Sequence, residues 1–142
     1  MNRKTLVWTS AAFYALAWLI PVDRVGMSGW QAFRSALAPL LPYEGIVITG
    51  ARDVLLSVTS ASSNLLFVAG FFILVLRPDR RSRGLFWALL LAGGLNTHWF
   101  VLSDDRGDFG FGYFLWVGSF LLLSVSASRW SPRGAKVATS GI

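Results

Sequence analysis

The chain has no cysteine. Disulfides, thiolate catalysis, iron–sulfur clusters and cysteine zinc sites are thereby excluded. Charge is the second scarcity: 14% of the 142 residues are charged, where a soluble domain carries about a quarter. The seven carboxylates all fall outside the long apolar runs, so a conventional proton-coupled carrier would lack its usual intramembrane acid. One histidine is too few for the paired ligands of a metal cage. Gly-x-Ser-x-Gly, His-Glu-x-x-His and a Gly-rich phosphate loop ahead of Lys-Ser/Thr are all missing. No catalytic residue, metal or cofactor is therefore named, and an enzyme is not expected. The glutamate that small multidrug pumps carry in their first span is also missing.

Apolar and aromatic residues are abundant, at 54% and 15%, and they are grouped. Two apolar runs flank the turn Arg77-Pro78-Asp79-Arg80-Arg81-Ser82-Arg83. Pro78 stops the helix before it, lacking an N–H and disfavouring helix at Arg77. Four arginines against one aspartate stay on the cytoplasmic side, by the positive-inside rule. Arg77, Arg80, Arg81 and Arg83 are thus topology residues that also attract anionic lipid. Nine of the thirteen basic residues sit in this turn, at Arg3 and Lys4, and at Arg129, Arg133 and Lys136. This one-sided charge accounts for the net +6 without a nucleic-acid partner; the expected partners are the bilayer and a membrane protein or second copy.

The fold class that follows is all-α, a single four-span transmembrane domain over residues 1–128 with both termini inside. The expected spans are 5–22, 54–76, 84–102 and 109–127. The outer loop 23–53 is long, and Ser28 with Gln31 forms a capping box opening an amphipathic helix over 29–38, with Trp30, Phe33 and Leu37 on one face. Residues 77–83 are the cytoplasmic turn, 103–108 an acidic outer turn, and 129–142 a basic cytoplasmic tail expected to be disordered. Trp8, Trp87 and Trp130 mark an inner aromatic belt; Trp18, Trp30, Tyr43, Trp99 and Tyr113 mark an outer one. Eleven arginines to two lysines is the coding bias of a GC-rich bacterial genome, so an inner cell membrane is the expected location.

Polar residues inside the spans are the functional candidates. Ser57, Ser60, Ala61 and Asn64 form one stripe of span two, and Thr59, Ser63 and Gly70 another, roughly opposite; packing on both sides would make span two central. If spans two and three pair antiparallel, His98, Asn96, Asn64, Ser57 and Ser60 share an outward-facing polar chamber beneath Asp104, Asp105 and Asp108. His98 is a proton- or ligand-linked group, a metal ligand with Asp104 or Asp105, or a neutral imidazole that bonds Ser57 or Ser60 or sits in the headgroups beside Trp99. Gly112, Ser119 and Ser126 recur every seven residues as a helix-packing seam. With surplus seams and no catalytic group, the expected function is an accessory or assembly subunit, or a homo-oligomer, acting through helix packing. The alternative is a small transporter, channel or ligand-binding sensor using the chamber.

Overall fold

The computed structural model describes residues 2–42, 50–77, 82–102 and 109–128. Arg80 and Arg81, the acidic turn with Asp104, Asp105 and Asp108, and the tail 129–142 lie outside the described residues. Among the described residues six helices follow in order: α1 Arg3–Leu19, α2 Gly29–Ala36, α3 Ala51–Leu76, α4 Arg83–Asn96, α5 His98–Leu102 and α6 Phe111–Ala127. Two isolated bridges, Pro21 with Ser28 and Asp23 with Phe109, are the β-type pairings among the described residues.

Each helix end has a local cause. The Asn2 side chain caps α1 at Lys4 N–H, and α1 stops at Leu19 because Pro21 disfavours helix at Ile20. The capping box of α2 forms with both bonds: Gln31 N–H donates to Ser28 Oγ at 3.4 Å, and Ser28 N–H to Gln31 Oε1 at 2.8 Å. Helix α3 begins at Ala51 with Asp53 in its favourable first turn and ends against Arg77 and Pro78. The expected third span is broken. Thr97 Oγ1 takes the Gly94 carbonyl at 2.6 Å, Thr97 N–H takes it at 3.0 Å, and His98 Nδ1–H donates to the Leu95 carbonyl. With Gly93-Gly94 weakening the helix just before, these side chains end α4, and α5 restarts one residue on.

The helix at the centre is α6, not α3. Helix α6 packs along both α1 and α4 and also touches α3, which lies mainly against α4. Phe120 and Leu123 of α6 are fully buried in a core shared with Val7, Phe67, Leu74, Leu89 and Ala92. The two stripes of α3 fuse into one face, because Phe67 and Leu74 between them are buried too, while Thr59 turns its hydroxyl to the Leu55 carbonyl of its own helix. Helix α3 therefore buries one broad arc and leaves Leu65, Phe72 and Leu76 exposed.

Among the described helices α3 alone is long and apolar enough to cross a membrane by length and composition. Its 26 residues measure about 39 Å at ~1.5 Å per residue. The 17 residues of α6 and of α1 give about 26 Å each, a few ångströms short of a hydrocarbon core of about 30 Å.

Candidate ligand-binding pocket

Helix α2 roofs one end of the bundle. A Cβ on Gly29 would run into the Ala17 carbonyl, so only glycine lets α2 start this close to α1. The 20–28 turn is clamped on both sides. Val22 N–H donates to Met27 O at 2.8 Å, Gly110 N–H to Val22 O at 2.8 Å, and Gly112 N–H to Pro21 O at 3.1 Å. Gly26, with φ at +93°, supplies the left-handed residue the turn needs. Trp18 then packs against Trp30 and Phe33 of α2, at ring centroid distances of 5.7 and 5.2 Å.

Beneath this roof a partly open cavity of about 300 Å³ remains between α1, α2, α3 and α6. That is the lower end of the size range for small-molecule sites. Its walls are apolar and aromatic: Ala17 and Trp18 of α1, Ala32 and Phe33 of α2, and Phe109, Tyr113 and Trp116 at and within α6. Asp23 stands among the lining residues, and Ser57, Ser60 and Asn64 approach from α3.

The polar groups next to the cavity belong to one network that ties four helices. Asn64 Oδ1 accepts from Tyr14 Oη–H at 2.9 Å and from Trp116 Nε1–H at 3.0 Å, and Asn64 Nδ2–H donates to Ser60 O at 3.1 Å. Ser60 Oγ–H donates to Asn96 Oδ1 at 2.9 Å, Asn96 Nδ2–H to Ser63 Oγ at 2.7 Å, and Tyr113 Oη–H to the Asn96 carbonyl at 3.0 Å. The two asparagines, one on α3 and one on α4, thus meet partners from α1, α3 and α6 in a core where an unmet amide would be expensive. Ser57 differs. It is 1% exposed and lines the cavity, yet among the described residues its hydroxyl has no hydrogen-bond partner.

The residues expected to form a chamber are only partly brought together. Ser60, Asn64 and Asn96 meet, and Ser57 lies one turn along α3 from Ser60. His98 does not join them; it is half-buried beyond the end of α4, on the Leu95 carbonyl. The α3–α4 interface holds the Ser60–Asn96–Ser63 bonds, and the cavity opens beside it on the same buried face of α3, toward α1, α6 and α2, with Ser60 touching both.

The seam of α6 is occupied within the chain. A Cβ on Gly112 would lie 2.7 Å from the Ile20 carbonyl oxygen and 2.8 Å from that of Pro21. The Ser119 carbonyl accepts from Ser10 Oγ–H at 2.9 Å, and the Ser126 carbonyl from Arg3 Nε–H at 2.9 Å. Gly112, Ser119 and Ser126 are all buried, and α1 covers them. Arg77 caps α3 and Arg83 opens α4, both exposed at the opposite end from α2.

Sequence reasoning passed over Tyr14, Asp23 and Trp116. Tyr14 and Trp116 had a readable signal: each lies mid-run, away from both aromatic belts, where an O–H or indole N–H must find a partner inside. Asp23 had none, since its place depends on the pairing of its backbone with Phe109, far along the chain. Compared with known proteins, the chain matches no family model, no curated protein and no solved structure.

Proposed function

We propose that the protein is a four-span integral membrane protein, both termini cytoplasmic, that holds a small, largely apolar ligand in an outward-facing pocket under α2. The membrane part draws on an inverted distribution of side chains. Ser10, Ser57, Ser60, Ser63, Asn64, Asn96, Ser119, Ser124 and Ser126 are buried, while Leu16, Leu65, Phe72, Trp87, Leu91, Leu95, Phe114 and Val125 are exposed on the outer faces. Water would favour the reverse; hydrocarbon outside and hydrogen bonds inside favour this one. In this arrangement α1, α3, α4 continued by α5, and α6 are the spans, and the bilayer covers the exposed apolar faces. Arg77, Arg80, Arg81 and Arg83 hold the inner side, which puts α2 and the pocket outside.

The ligand part rests on Ser57, which lines a largely apolar cavity and has no hydrogen-bond partner among the described residues. A protein that only packs would fill that space or pair that group. In purified protein, a pocket-binding ligand should be retained in native mass spectrometry and lost when Ala32→Phe fills the cavity. Retention unchanged by Ala32→Phe would remove the pocket from the account.

A second reading, an accessory or assembly subunit or a homo-oligomer, draws on Gly94. It lies on the exposed face of α4 between Leu91 and Leu95, and a Cβ there would meet open space, as suits close approach of another helix. Gly94→Leu should then dissociate a complex on a native gel, and a single species in both forms would speak against it.

A further inference from the structure

We propose that the ligand of this pocket is an amphipathic cation, its charge held at Asp23 and its apolar body between the two aromatic walls. The inference rests on the pocket reading above and adds the chemistry of the occupant. Asp23 is the one charged side chain among the described lining residues, with no lysine or arginine beside it in the lining. Among the described residues it has no ion-pair partner. It is also held in place. Asp23 Oδ1 accepts from Met27 N–H at 2.8 Å, and its backbone pairs with Phe109 at the start of α6. A half-buried carboxylate fixed in this way, with no ion-pair partner among the described residues, stands in a lining that is otherwise uncharged and mostly aromatic and aliphatic.

Each class of ligand meets that arrangement differently. An anion would meet the Asp23 carboxylate in a lining that offers no cationic side chain, beside the aromatic rings of Trp18, Phe33, Tyr113 and Trp116. Two helix N-termini lie nearby, but they do not reverse the preference. The Gly110 and Gly112 N–H groups of α6 are taken by Val22 and Pro21 carbonyls, and the capping box of α2 takes the Ser28 and Gln31 N–H groups. A neutral apolar ligand would fill the space while stripping water from Asp23 without compensation. A cation gains from both features, the carboxylate and the ring faces, as in aromatic sites for alkylammonium groups. The Ser57 hydroxyl, deeper in the cavity, would serve a polar atom at the far end of such a molecule.

Three probes of one shape test this in detergent-purified full-length protein: benzyltrimethylammonium, its neutral carbon isostere neopentylbenzene, and the anion benzylsulfonate. Trp18 and Trp116 line the pocket, so tryptophan fluorescence reads occupancy. The cation should bind roughly tenfold tighter than the neutral isostere, and the anion weakest. Asp23→Asn keeps the acceptor for Met27 N–H and should abolish the difference between cation and isostere without lowering the melting temperature. Equal binding of cation and isostere by the unaltered protein, or a preference that survives Asp23→Asn, would overturn the cation inference and leave the pocket standing. No binding by any probe, or binding indifferent to Ala32→Phe, would overturn both.

Discussion

Trp116 Nε1–H donates to Asn64 Oδ1 at 3.0 Å, and the same oxygen accepts Tyr14 Oη–H at 2.9 Å. One amide oxygen of α3 thereby holds α1 and α6 together beneath the pocket. Asn64→Leu would leave two buried donors without an acceptor. The expected cost is about 1–3 kcal/mol of stability, seen as a lower melting temperature in detergent. Tyr14→Phe combined with Asn64→Leu should cost less than the separate effects added together, because the orphaned hydroxyl is gone. Strict additivity would contradict the shared-acceptor geometry.

The seam of α6 predicts two opposite outcomes. Gly112→Ala places a methyl against the Ile20 and Pro21 carbonyl oxygens, so it should cost about 1–3 kcal/mol through overpacking and lower the folded yield. Ser119→Ala should stay within about 0.5 kcal/mol, because Ser10 bonds the Ser119 carbonyl, and the Ser119 hydroxyl only returns to Trp116 O of its own helix. Thermal unfolding of both variants decides this. A costly Ser119→Ala alongside a harmless Gly112→Ala would refute the packing described.

His98 and Ser57 separate pocket from surroundings. His98→Ala removes a side chain that closes the end of α4, and it should leave binding of the alkylammonium probe unchanged. Ser57→Ala removes the cavity hydroxyl with little change of shape, so ligands that carry a distal hydrogen-bonding group should lose affinity several-fold. Titrations of the two variants, side by side, read the difference. A loss on His98→Ala with none on Ser57→Ala would shift the site to the α4–α5 break.

Much of the helical plan was legible locally. The Ser28–Gln31 box, the stop at Arg77-Pro78 and the apolar runs each act over a few residues, so sequence alone carries them. The break at Thr97 was legible only in part. Gly93-Gly94 announced a weak helix, but the rupture needs the Thr97 hydroxyl and the His98 ring to capture carbonyls, a choice of rotamer that spacing does not reveal. The stripes of α3 were real, yet their opposition was not: a helical wheel shows small polar residues and is silent on whether Phe67 and Leu74 between them face lipid or core. The partners of Asn64 came from residues 50 and 52 positions away. Long-range pairing of this kind has no local signature, and for that reason spacing alone does not show that the space beside Ser57, Ser60 and Asn64 lies toward α1, α2 and α6.

The central claim is a pocket that opens outward from a four-span bundle, and the absence of cysteine permits a direct test with single introduced thiols. Val25→Cys lies on the α2 side at 91% exposure, Ser57→Cys lies in the pocket, and Ser82→Cys lies at the start of α4 on the opposite side. Intact cells expressing each variant would be treated with a small, membrane-impermeant methanethiosulfonate. The Val25→Cys and Ser57→Cys variants should be labelled from outside, and the Ser82→Cys variant only after the membrane is opened. Labelling of the Ser82→Cys variant in intact cells, or a Ser57→Cys variant that never reacts while Val25→Cys does, would contradict that arrangement.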